Sequence, residues 1–90
     1  MAARLRSKLE TALSPQSLLI EDESAKHAGH AGAREGGETH FRVRIVSQSF
    51  AGLSRVERQR KVYAAVAEEL AERVHALSLV TLTPEEAELG

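Results

Sequence analysis

Apolar residues near the start of the chain fall at Leu5, Leu9, Ala12 and Leu13, the i, i+4, i+7, i+8 spacing of one helical face. This predicts a short amphipathic helix ended by Ser14-Pro15, since the residue before a proline is kept out of the α region. Leu18-Leu19-Ile20 then runs into Glu21-Asp22-Glu23, a block too brief for a helix, which predicts a strand between Ser17 and Ser24. Residues 25–38 carry Gly29, Gly32, Gly36 and Gly37 among small and polar neighbours, the pattern of a flexible loop. Thr39 to Ser47 alternates: Phe41, Val43 and Ile45 take one face, and His40, Arg42 and Arg44 the other, as in a half-solvated strand. Phe50-Ala51-Gly52-Leu53 predicts a turn, and Ser54-Arg55-Val56-Glu57 a capping box that opens a helix. Val56, Tyr63, Val66, Ala67, Leu70 and Val74 continue that helix, with basic residues early on its polar face and acidic ones late. Ala76 to Leu82 reads as a third strand, and Thr83-Pro84-Glu85-Glu86 as the capped start of a final helical turn.

The expected order is therefore α, β, β, α, β and a short α. A helix of about 20 residues between the second and third strands is the crossover of a βαβ unit, so those strands should be parallel with a right-handed connection. The first two strands should be antiparallel neighbours. The expected fold class is α+β: a small mixed three-stranded sheet with helices on one face, in a single domain spanning residues 1–90.

Composition narrows the chemistry. The chain has no cysteine, which removes disulfides, thiol nucleophiles and thiolate ligands of its own. Twelve Lys and Arg against 13 Asp and Glu give a net charge of −1, and aromatics are only 3%, unlike a dedicated nucleic-acid binder that stacks bases. No apolar run is long enough to span a membrane and the first residues lack a signal peptide's hydrophobic region, so a cytoplasmic location is expected. No nucleophile–base pair or phosphate-binding glycine loop stands out, so enzymatic activity is not expected. The pairs Glu68-Glu69 and Glu85-Glu86 read as solvated helix faces.

The expected topology gives the histidines a place. The loop with His27 and His30 leads into the second strand, and a parallel third strand begins at that same edge, directly after His75. His27 and His75 should therefore converge, as an incomplete site of neutral imidazoles suited to iron, copper or zinc. The plainer reading is a surface or hydrogen-bonded histidine. That reading is preferred for His40, which shares the solvent face with Arg42 and Arg44.

Taken together, Asp22-Glu23-Ser24 followed by His27, Glu38-Thr39-His40-Phe41, Val46-Ser47, Phe50-Ala51-Gly52, Arg58-Gln59-Arg60, Glu68-Glu69-Leu70 and Val74-His75-Ala76-Leu77 resemble the BolA family over nearly the whole chain. The resemblance implies a class II KH-like fold and a partnership with monothiol glutaredoxins, the isolated domain being a monomer without cofactor. It further implies that His75 and a loop histidine ligate a shared [2Fe–2S] cluster, completed by the glutaredoxin's cysteine and glutathione. The family register favours His27 for the loop position, with His30 as a second imidazole nearby. Members of the family have also been regarded as DNA-binding regulators. For that role the candidates here are Arg55, Arg58, Arg60 and Lys61 at the start of the long helix, together with Arg42 and Arg44 on the second strand. Gly52-Leu53-Ser54-Arg55 lacks the second glycine of a KH G-x-x-G loop, and Gln59 replaces a histidine frequent in the family.

Overall fold

The computed structural model describes residues 1–23 and 40–89. Helix α1 (Ala2–Leu13) is followed by β1 (Ser17–Asp22), β2 (His40–Val46), a short 3-10 turn (Gln48–Phe50), α2 (Arg55–Ala65), α3 (Ala67–Glu72), β3 (Ala76–Leu82) and α4 (Pro84–Leu89). The strands form one sheet in the order β1-β2-β3. β1 pairs antiparallel with β2, and β3 pairs parallel with β2, both as the sequence predicts.

Alternation along the strands sends one set of side chains inward. Phe41, Val43 and Ile45 of β2 are buried, with Leu18 and Ile20 of β1 and Leu77 and Leu79 of β3 half-buried beside them. Leu5, Leu9 and Leu13 of α1, spaced by four, close over this layer, as do Val62 and Val66, with Phe50 and Val74 filling the ends. Each such side chain stabilises by about 1.5–3 kcal/mol on burial, whereas an exposed ion pair contributes about 0–1 kcal/mol. Apolar packing thus holds α1 in place, and charges adjust its position.

The local stops follow from residue chemistry. Ser14 ends α1 in the left-handed region, φ 44°, since Pro15 bars it from continuing the helix, and its N–H donates to the Glu10 carbonyl. The Leu13 carbonyl, otherwise unpaired at the helix end, accepts from the hydroxyls of Ser47 at 2.6 Å and Ser49 at 3.1 Å. Ala51 (φ −60°, ψ 131°) and Gly52 (φ 79°) form a type II turn closed by the Leu53 N–H on the Phe50 carbonyl. Glycine is required at that third position. The Ser54–Glu57 capping box is present, and Thr83 with Glu86 forms a second one at the start of α4.

Two expectations need correction. The single long helix is two, because Val66 (φ −116°, ψ 27°) breaks it, with neither proline nor glycine at the site. Glu69, expected to be solvated, is fully buried. On α3 its carboxylate faces α1, where Arg4 and Lys8 reach it at 2.8 Å and 3.2 Å. Burial pushes this carboxyl up, but hydrogen bonds from its own backbone and from Lys8 and Arg4 outweigh that and hold it below the ordinary carboxylate value. Its other oxygen, Oε1, has no hydrogen-bond partner. Arg4 and Lys8 keep substantial exposure, so removing the acid leaves solvated cations rather than buried ones. Glu69→Gln should therefore cost only about 1–2 kcal/mol, measured as a shift of the urea midpoint.

Candidate functional site: the rim at His75

The exit from α3 determines where His75 stands. The N–H groups of Arg73 and Val74 both donate to the Glu69 carbonyl at 3.0 Å, which turns the chain toward the sheet. Val74 enters the core and is 3% exposed, so the next residue, His75, is exposed. Ala76 then begins β3 opposite His40, the first residue of β2. His75 consequently sits at the edge where both parallel strands start. β1 ends at this edge too, since the Glu23 N–H donates to the His40 carbonyl at 2.8 Å.

The sequence-predicted residues are thereby sorted. His75 is exposed at the expected edge. His27 and His30, and the loop that carries them, lie outside the described residues. The two residues that flank the described chain, Glu23 and His40, are hydrogen-bonded neighbours at the same edge as His75. His40 is half-buried and paired through its backbone, in keeping with a structural role. Among the described residues, no group of three or more His, Asp or Glu side chains is placed to hold a metal ion.

Of the four basic candidates on α2, Arg55, Arg60 and Lys61 are exposed. Arg58 is not available to a ligand in the same way, because its side chain is only 12% exposed and fully engaged. Nε donates to the Leu53 carbonyl at 3.0 Å, Nη1 to the Thr81 carbonyl at 3.0 Å, and both Nη1 and Nη2 to the Glu86 carboxylate at 2.6 Å and 3.2 Å. The guanidinium also lies 5.9 Å from the centroid of the Phe50 ring. One arginine thus joins the turn before α2, the end of β3 and α4. Both Glu85 and Glu86 are exposed, as the sequence suggests, and Glu86 is in addition this arginine's partner. Sequence pattern alone missed the burial of Glu69 and the pairing of Glu86 with Arg58, since the partners are 65 and 28 residues away along the chain.

The arrangement defines a small α+β domain with no thiol, an exposed imidazole at a sheet edge, and a polar surface whose strongest ion pairs are structural. A family model described as BolA-like protein matches residues 9–86, and the chain belongs to that family. It is 51% identical over 88 residues to Protein BOLA1, chloroplastic, of Arabidopsis thaliana, covering 96% of this chain and 55% of that protein. A solved structure of BolA1 from the same plant superposes with a TM-score of 0.86 at 51% identity, covering 96% of this chain and 94% of the other. The chain is also 49% identical over 87 residues to SufE-like protein 1, chloroplastic/mitochondrial, covering 92% of this chain and 24% of that protein. With the Escherichia coli DNA-binding transcriptional regulator BolA the identity is 42%, over 94% of this chain and 77% of that one. The chain spans about half the length, or less, of the two plant proteins it matches.

The Arg58–Glu86 pair has a pH signature. The hydrogen bonds from Arg58, aided by the Thr83 N–H, hold the Glu86 carboxyl at about 2, below the 4.5 of the free group. A folded pKa below the unfolded one contributes stability that is present above pH 4.5 and is lost as pH falls toward 2. Glu86→Gln should thus lower the urea midpoint at neutral pH, and its deficit against the parent should shrink through that acid window.

Proposed function

We propose that this domain is a non-enzymatic partner of a monothiol glutaredoxin, with which it shares a [2Fe–2S] cluster in iron–sulfur cluster assembly or trafficking, or in iron and redox regulation. The observation that carries this reading is the exposed His75 at the edge where the segment holding His27 and His30 is anchored at both ends. Strands are about 4.8 Å apart, so crossing from β1 over β2 to β3 is about 10 Å. Four residues of extended chain reach up to about 14 Å, which is enough for His27, tethered at Glu23, to meet His75. His27 is the loop ligand by family register and His30 the alternative.

The donor chemistry fits half a site. Neutral imidazoles bind iron, and in Rieske-type centres two histidines replace two thiolates and raise the potential. With no cysteine and no three-ligand cluster among its described residues, the domain supplies imidazole, and the glutaredoxin cysteine and glutathione supply the thiolates. The likeness to a SufE-like protein supports a setting in iron–sulfur chemistry. Because His75 is exposed, His75→Ala should leave stability within about 0.5 kcal/mol. Coexpressed with the glutaredoxin, the same variant should lose or strongly shift the visible absorption and circular dichroism of the mixed cluster; an unchanged spectrum refutes ligation. His27→Ala should give a smaller spectral change, and His40→Ala should chiefly alter stability.

A second reading, a nucleic-acid-binding regulator, is favoured by the exposed cations Arg55, Arg60 and Lys61 and by the likeness to the bacterial DNA-binding regulator. In that case Arg60→Ala with Lys61→Ala should weaken DNA binding across sequences and reduce the salt slope by about 1 per lost phosphate contact. Arg58→Ala, by contrast, should act through folding. Affinity no better than millimolar at physiological salt ends this reading.

A further inference from the structure

Among the described residues, α1, α2 and α3 pack against one face of the sheet, and its other face carries a definite chemical pattern. Cross-strand register places Leu19, Arg44 and Val80 in one row and Glu21, Arg42 and Ser78 in the next. The row after that holds His40 and Ala76, beside His75. A stripe of His40, Arg42 and Arg44 therefore runs up the central strand from the His75 rim. Leu19, 50% exposed, and Val80, 43% exposed, stand on either side of Arg44. These rows line a groove of about 390 Å³.

Three features of this face point to a cover. Parallel strand pairs are normally covered on both faces, yet no described residue covers the outer face of the β2–β3 pair. Two large apolar side chains are left in water beside a charge. Arg42 has a distant ion pair with Glu23, at 3.8 Å, whereas Arg44 has neither hydrogen bond nor ion pair among the described residues. An arginine between apolar neighbours matches a carboxylate flanked by apolar side chains on another protein, with desolvation strengthening the pair. A second copy of this chain fits poorly, since the acids this face offers among the described residues, Glu21 and Glu23, already stand beside Arg42. Nucleic acid also fits poorly, because the face has no Phe, Tyr or Trp among the described residues to stack on a base and its apolar flanks do not match a phosphate backbone.

We infer that the bare sheet face is the docking surface for the cluster-carrying partner, which seats an acidic side chain on Arg44 between Leu19 and Val80. The inference rests on the cluster-sharing reading, and it assigns to that reading the surface that brings the two proteins together. Docking along the stripe sets the partner against the rim where His75 stands.

The test uses the full chain and a monothiol glutaredoxin loaded with cluster and glutathione. Arg44→Glu and Val80→Ser, both outside the apolar core, should each keep the parent's far-ultraviolet circular dichroism. Arg44→Glu should weaken association about tenfold or more, and Val80→Ser by a smaller factor. At saturating partner, both should still give the parent's mixed-cluster spectrum, because His75 is intact. Parent-like affinity in both variants, or backbone amide shifts confined to α2 and α4, overturns the docking surface and leaves cluster ligation standing. Weakened binding by Arg44→Glu together with an unchanged spectrum in His75→Ala supports the surface and overturns ligation. Failure of the parent domain to bind the glutaredoxin overturns both. Loss of binding to a single-stranded oligonucleotide in Arg44→Glu, with glutaredoxin affinity unchanged, reassigns the face to nucleic acid. Sedimentation showing a dimer that Arg44→Glu dissociates reassigns it to a second copy.

Discussion

The parallel pairing of β3 with β2 is the constraint on which the rest depends. A parallel pair needs a crossover long enough to carry the chain back to the starting edge, and α2 with α3 supply it. The return fixes two things at once. It gives Leu77 and Leu79 the inward positions that complete the core, and it puts His75 at the edge where β1 leaves and β2 begins. An antiparallel third strand would have sent the same histidine to the opposite end of the sheet. The chemistry proposed for the rim is thus a consequence of strand direction, and strand direction follows from the length of the crossover.

Charges divide between those spent on the fold and those left over. Glu69 is used twice: its carbonyl receives the two N–H groups that turn the chain out of α3, and its carboxylate receives Arg4 and Lys8 from α1. Arg58 joins the turn, β3 and α4 in the same way. An exposed pair of this kind is worth little in energy, but a buried or fully hydrogen-bonded one specifies position, since the group has no alternative partner of equal quality. Arg44 differs from both: it is half-buried and makes no ion pair or hydrogen bond among the described residues. In a chain of near-zero net charge, where acids and bases are almost equal in number, an unspent arginine beside bare apolar side chains is informative.

How much of this was legible in the sequence depended on the range of the signal. Alternation over Phe41, Val43 and Ile45, the four-residue spacing of Leu5, Leu9 and Leu13, and the caps at Ser54 and Thr83 are local patterns, and each formed the element it predicts. Strand direction was also readable, because crossover length is itself a property of the sequence. The break at Val66 was not readable, since neither proline nor glycine stands there to forbid a helix. Glu69 was misread for a related reason. A glutamate on a helix looks solvated until the fold brings Arg4 and Lys8 across from a helix 65 residues earlier. Arg58 looked like one more cation in a basic cluster, and only the return of α4 gave it Glu86.

The same distinction bears on how an imidazole rim would operate. His75 is exposed, but the residues that place it are among the most constrained in the domain: Val74 is in the core, Ala76 is in the ladder, and the preceding turn is held by the Glu69 carbonyl. A ligand fixed from both sides loses little conformational freedom when a partner arrives, so more of the binding energy remains for the complex.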